Sequence, residues 1–359
     1  MPPRKAAMTE GQRVAALLNG KRPDRVPNWP FFDLTGFSAV YHNRPITAAY
    51  LDPRESLDMQ RAVCRDFGWI CSPCYMASSV KEFGGEVKMP NSQYAQAPTT
   101  VRFPVETEED VRKLKIPDIK SSPSVAREIE FYRMTDAERF DNEPFRVYLP
   151  MSDPFGFVGR LCRLEQLAKW MLRKPELVLD MMDIARGYTE ELTKYWRDTF
   201  STDGVIARSG GVISSNQIIS PKLFERFVLP SLKENHQGIL DMGYRHIYCH
   251  ICGDHNLNMK YWGQIPMGNP GFISVGQETD LETAARHLPN DIILGNLEPS
   301  ILQTGTPDGV YEATRRVIEK GKKLSCGYIF SLGCQFPPRA DLKNVRAMNR
   351  AIEDYGWYD

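Results

Sequence analysis

From residue 145 onward the sequence alternates short apolar runs with amphipathic stretches, and this alternation constrains the fold more than any other feature. The runs are RVYLPM (146–151), DGVIAR (203–208), RHIYCH (245–250), GFISVG (271–276), DIILGN (291–296) and GYIFSL (327–332). They are largely continuous in apolar character rather than alternating, as expected of strands buried on both faces. Between them, DPFGFVGRLC opens a helix, and 164–200 reads as one long helical region with Leu164, Leu167, Trp170, Met171, Val178, Met181 and Met182 at helical spacing. Further helices are predicted over 220–242, 280–288, 307–322 and 340–354. Strands and helices in strict alternation build parallel βα units. No G-x-G-x-x-G and no Walker-type phosphate loop accompanies them, so nothing points to a nucleotide-binding doubly wound sheet. The expected fold is α/β, a (β/α)8 TIM barrel, and 359 residues fit one such domain with elaborations.

The first 144 residues are less regular. Residues 1–7 read as a tail, and Thr9 to Gly20 as a short helix opened by a Thr9/Gln12 capping box. The segment DRVPNWPFF (24–32), rich in proline and aromatics, reads as an extended lead-in. Asp52-Pro53 opens a helix over about 53–67, with the acid as N-cap and proline at the first position. GEVKMP and TTVRFPV are short extended pieces, and Thr107 caps a helix through about Leu114. Residues 122–140 are polar and helical, which suggests an exposed insertion. The organisation expected is one domain, with N-terminal elaborations and first barrel units over 8–144 and the main βα units over 145–359.

Charge narrows the function. The chain carries 45 Lys+Arg against 45 Asp+Glu, with no basic block of the kind a nucleic-acid binder shows. It is 42% hydrophobic, unlike a disordered chain, and holds no apolar run long enough to span a membrane. The start, MPPRKAAMTEGQ, lacks the apolar core of a signal peptide, so a cytoplasmic location is expected. Eight cysteines are then surprising, because a cytosolic chain does not need disulfide staples.

Two C-x-x-C pairs, Cys71/Cys74 and Cys249/Cys252, suggest a four-cysteine zinc site, but the gap between them is far longer than in a compact zinc ribbon. Cys71 and Cys74 read better as packed thiols. A sharper set is His250 and Cys252 with Cys334. Residues i and i+2 of a strand share a side, so His250 and Cys252 face one centre while Cys249 points away. Gly253 stops the strand, and Cys334 follows GYIFSL in an equivalent position, between Gly333 and Pro337-Pro338. In a barrel both strand ends open on the catalytic face. One His and two Cys leave a tetrahedral position free, the pattern of a catalytic zinc rather than a structural one. The competing reading is a satisfied core histidine and two buried thiols.

The segments HICGD (250–254), DIILGNLEPSILQTGTPDGV (291–310) and GYIFSLGCQFPPRADLKNVRAMNRAIEDYG (327–356) resemble the uroporphyrinogen decarboxylase superfamily, as do DRVP (24–27) and FPVETEEDVRKLKIPD (103–118). The resemblance covers nearly the whole chain and implies a (β/α)8 barrel. The porphyrinogen decarboxylases themselves carry an R-Q-A-G-R-type segment near the start; here VPNWPFFDLTGF has no arginine. A substrate with many carboxylates needs convergent cations. The corrinoid-dependent methyltransferase branch instead carries H-x-C and a distant Cys that bind zinc, matched here by His250, Cys252 and Cys334.

The branch implies methyl transfer between a small methylated substrate or thiol and a corrinoid (cobalamin). No D-x-H-x-x-G corrinoid motif occurs in the chain, so the cofactor is expected on a partner corrinoid protein docking over the barrel mouth. Zinc would either hold a thiol as thiolate or act as a Lewis acid on the heteroatom of a methyl donor. Glu278 and Asp254 are the candidate catalytic carboxylates. Glu278, or else Glu298, is placed to act as a fourth ligand; each is otherwise a loop carboxylate. Asp254 and His255 either orient His250 or form a solvated loop pair. Arg208, Ser209 and Asn216, after the strand 203–208, are candidate substrate-binding residues. Trp29, Phe31 and Phe32 form either an apolar wall near the mouth or ordinary core.

Overall fold

The computed structural model describes residues 7–76, 80–91 and 97–358. Of the predicted tail, residues 1–6 lie outside the described residues. A small antiparallel hairpin, β1 (Glu86–Lys88) and β2 (Thr99–Arg102), stands apart from the main sheet. That sheet is parallel and runs in chain order: β3 (Val147–Ser152), β4 (Val205–Gly210), β5 (Ile247–Ile251), β6 (Phe272–Val275), β7 (Ile292–Leu297) and β8 (Gly327–Leu332). Helices connect the strands, among them Pro307–Gly321 and Leu342–Tyr355, so the architecture is α/β with βα units as the apolar runs predict. The strands are almost wholly buried, with helices on one face and aromatic side chains filling the other. Among the described residues no helix is long and apolar enough to cross a membrane.

Within the lead-in, residues 27–30 serve as the first strand of the barrel, bridged to β8 at Asn28. Trp29 N donates to Phe330 O at 3.0 Å, Phe330 N to Pro27 O at 3.0 Å and Leu332 N to Pro30 O at 2.8 Å, a parallel ladder on the free edge of β8. Pro27 and Pro30 have no N–H, but the ladder uses only their carbonyls, so they do not break it. Ile70 N donates to Asn28 O at 2.9 Å and sets the segment 70–74 alongside. Eight extended segments therefore follow one another in barrel order. At the seam between 70–74 and β3, side chains rather than a backbone ladder make the join among the described residues. The register of β3 on β4 slips between Tyr148 and Met151. The Leu149 carbonyl in that slip accepts from Arg208 Nε at 3.1 Å, while Arg208 Nη1 reaches Cys74 Sγ at 2.8 Å. Tyr148 Oη adds a bond to Cys71 O at 3.4 Å.

Two expectations are corrected. The polar stretch 122–140 is not an exposed insertion. Its helix, Pro123–Ala137, is capped by Ser122 and buries Val125, Ile129, Phe131 and Tyr132 behind the seam. Charges on its outer face dominate the composition and hide that apolar stripe. The long helical region 164–200 is two helices, Leu164–Arg173 and Pro175–Phe200, because Pro175 cannot continue a helix but can begin one.

Candidate metal centre

β5 ends at Ile251 and the chain turns at Gly253, whose φ is +85°. A side chain there would be strained, and a Cβ would lie 2.7 Å from Gln217 Oε1. The turn leaves His250 and Cys252 on the same side of the strand. Cys334 follows Gly333, where a Cβ would lie 2.5 Å from Gln277 N, so the β8 loop can approach the β6 loop this closely only with glycine. The result brings His250, Cys252 and Cys334 together, with one potential ligand atom from each lying within 4.8 Å of the others. The two sulfurs are 3.4 Å apart. Cys71 and Cys74 take no part in this group.

The histidine is aimed from behind. His250 Nδ1 is 3.0 Å from Ser274 Oγ, and its Nε2 is buried with no partner. Phe31 packs edge-on against the ring at 4.8 Å and Phe32 lies at 6.1 Å. A buried nitrogen without a partner is unusual and calls for an explanation. The Cys334 thiol is pulled down to about 4 by the hydrogen bond from Cys252, against its burial, with further help from His250. The Cys252 thiol is pushed up by that same bond and by burial. The two sulfurs are driven in opposite directions and titrate as a coupled pair. An imidazole nitrogen beside two cysteine sulfurs is a donor set suited to zinc.

Asp254 and His255 do not orient His250; Ser274 does. The Asp254 carboxylate accepts from Asn256 N at 2.9 Å and Asn256 Nδ2 at 2.8 Å, so it shapes its own turn. His255 is fully buried. Its Nδ1 accepts from Trp262 Nε1 at 3.0 Å, and its Nε2 donates to Cys252 O at 3.2 Å and Gly211 O at 3.3 Å. An indole N–H only donates and a carbonyl only accepts, so this environment admits one neutral tautomer. Burial accordingly holds the ring down to about 4.

Glu278 is exposed, just beyond β6, and raises the Cys252 thiol through its charge, but its carboxylate is outside the three-residue group and bonds Gln277 Nε2 at 2.9 Å. Glu298 is exposed and bonded by Ser300. Arg208 is 3% exposed and lies inside the barrel at the seam, under the faces of Phe32, Tyr132 and Tyr148. Three of its five N–H groups go to Leu149, Cys74 and Tyr132. Ser209 is not at the mouth. Register pairs Arg208 with Tyr248 and Gly210 with His250, so Ser209 faces the helices, where His236 Nε2 lies 2.6 Å away. Asn216 ties two loops together, through its amide to Asp254 O at 2.7 Å and its Oδ1 to Leu257 N at 3.1 Å. Trp29, Phe31 and Phe32 are buried and line the interior beside Tyr248 and His250.

Sequence reasoning missed Ser274 and Asp33. Ser274 lies directly opposite His250 in the β5–β6 register. Asp33, at the end of the first strand, is buried, and its carboxyl is pushed up by that burial. It accepts from Gln335 Nε2 at 2.5 Å, holding the residue next to Cys334. Neither residue carries a local motif.

A model of the uroporphyrinogen decarboxylase (URO-D) family matches residues 9–355, and the chain belongs to that family. Among curated proteins it is 25% identical, over 295 residues, to the methylcobamide:CoM methyltransferase MtbA of Methanosarcina acetivorans, covering 79% of this chain and 78% of that protein. It is 26% identical, over 213 residues, to a methylated-thiol–coenzyme M methyltransferase of Methanosarcina mazei, covering 57% of this chain and 52% of that one. The solved structure of a methyltransferase from Methanosarcina mazei superposes with a TM-score of 0.80 at 18% identity, over 97% of this chain and 99% of that one, which fixes the fold.

Proposed function

We propose that this chain is a zinc-dependent methyltransferase, moving a methyl group between a small methylated substrate or thiol and a corrinoid carried on a partner protein. The observation that carries the reading is the convergence of His250 Nε2, buried and unpartnered, with the Cys252 and Cys334 sulfurs. The methyltransferase relatives support it. Bound by those three atoms, zinc would supply Lewis acidity, either to a substrate thiol or to the heteroatom that carries the methyl group.

The chain's own residues define the rest. Ser274 keeps the His250 ring turned so that Nε2 faces the sulfurs. Phe31 and Phe32 cover the imidazole and keep water from it. The Cys252 and Cys334 sulfurs lie 3.4 Å apart, and any proton the pair holds must leave before both can bind metal. Glu278, on the β6 loop, is the carboxylate we propose to approach the centre, its charge already acting on Cys252. The likeness to a methylcobamide:CoM methyltransferase supports a corrinoid as the methyl carrier.

The alternative within the family, porphyrinogen decarboxylation, finds little support in the first strand. Where convergent cations would be needed, it presents Trp29, Phe31 and Phe32. The test is metal content with methyl exchange. Stoichiometric zinc, lost in Cys334→Ala, and exchange with methylcobalamin or cob(I)alamin across a panel of thiols and methyl donors are expected. A metal-free protein that turns over porphyrinogen refutes the proposal.

A further inference from the structure

We infer that His255 is a positioning residue for the metal centre: its Nε2–H clamps the Cys252 carbonyl to the end of β4 and thereby fixes where the Cys252 sulfur points. The inference rests on the metal reading above. Five bonds converge on the short turn after β5. His255 Nε2 bridges the carbonyls of Cys252 and Gly211, one from each of two neighbouring strand ends. Trp262 Nε1 donates to His255 Nδ1 at 3.0 Å, so the ring cannot change tautomer without setting a donor against a donor. His255 N donates to Thr279 Oγ1 at 3.1 Å, and that hydroxyl donates to Gly253 O at 3.0 Å.

The packing is arranged around this clamp. A Cβ on Gly211 would lie 2.6 Å from the Trp262 ring and 2.8 Å from Ser214 Oγ, so glycine is what lets the indole reach His255. Phe224 closes the other side, edge-on to Trp262 at 5.3 Å and to His255 at 6.4 Å. A ring needed only to fill this space could be apolar. Here both nitrogens are used, and the protonated one is spent on the backbone of a ligand residue. Gly253 sits at positive φ immediately after Cys252, so without the clamp the turn would be free to redirect the sulfur.

Changes in the groups that orient a ligand typically weaken metal binding about 10–100-fold. The test is zinc affinity, measured by competition with a chromophoric chelator, for the wild-type chain, His255→Leu and His255→Gln. The visible spectrum of the cobalt(II)-substituted proteins is recorded in parallel. Glutamine can place an N–H where Nε2 was and an acceptor near the indole, so His255→Gln is expected to stay within about threefold of wild type, while His255→Leu falls about 10–100-fold with altered thiolate–cobalt bands. Should His255→Leu fail to fold, Trp262→Phe, which keeps the aromatic packing and removes only the tautomer lock, is expected to give an intermediate loss. Equal zinc affinity and spectra in wild type and a folded His255→Leu overturn the inference, as does a His255→Gln protein as weak as His255→Leu. If the wild-type chain binds no zinc at all, it is the metal reading that fails.

Discussion

His236 and His255 make the stability of this protein sensitive to mild acid, and His236 allows the effect to be isolated away from the metal centre. Both rings are fully buried, and burial holds each down to about 4. His236 Nδ1 donates to Pro266 O at 2.8 Å, and its bare Nε2 faces Ser209 Oγ at 2.6 Å. An unfolded histidine takes up its proton near pH 6.5, so between about pH 6.5 and 4 the unfolded chain binds more protons than the native one. Stability therefore rises with pH across that window: it is fully present above about 6.5 and falls as the pH drops toward 4. Linkage puts the loss between pH 7 and pH 5 at about 2 kcal/mol for each ring. In His236→Gln the bond to Pro266 is lost, which costs about 1–3 kcal/mol at pH 7. Since the variant has no ring to protonate, its deficit should shrink by about 2 kcal/mol at pH 5. Urea unfolding of both chains at pH 7, 6 and 5, with chelator present to remove metal linkage, reads this directly. A deficit that stays constant with pH would show that His236 is not held neutral by the fold.

Three further outcomes are expected. Ser274→Ala should leave the fold intact and weaken zinc binding about 10–100-fold, read by chelator competition, because His250 Nδ1 loses the group that aims it. Gly211→Ala should cost about 1–3 kcal/mol in urea, since its Cβ meets the Trp262 ring, and should loosen zinc binding along with it. Arg61 forms a two-bond pair with Glu143, at 2.6 and 2.9 Å, in the interior; Arg61→Leu should cost about 3–5 kcal/mol at pH 7, and Arg61→Leu with Glu143→Leu should recover much of it.

The parts legible in the sequence were those encoded locally. The apolar runs gave the six main strands to within a residue or two, and the Asp52-Pro53 pair marked the start of the helix Pro53–Phe67. The H-x-C spacing and the matching position of Cys334 pointed at three residues that the fold does bring within reach of one another. The first strand escaped because Pro27 and Pro30 argue against a ladder, and only the neighbour's pattern shows that their missing donors are not needed. Ser209 was misassigned for a related reason. Parity along one strand separates Cys249 from His250, but carrying that parity across to β4 requires the register, Arg208 on Tyr248 and Gly210 on His250, which no local signal specifies.

The same distinction explains why the candidate centre reads so differently from the shell that holds it. The three candidate ligands sit in two short strand-end motifs. Their supports come from other strand ends: Ser274 of β6 for His250, Asp33 after the first strand, through Gln335, for the Cys334 loop, and Gly211 after β4, through His255, for Cys252. The supports come from different elements, so no single support motif could appear in the sequence. The arrangement is nevertheless stiff, because moving one ligand requires breaking a bond to a neighbouring strand rather than rotating a side chain. A centre held in this way keeps the His250 nitrogen bare and the sulfurs together at the cost of an unpartnered buried atom. A fold selected only for packing would have filled that position with an apolar side chain.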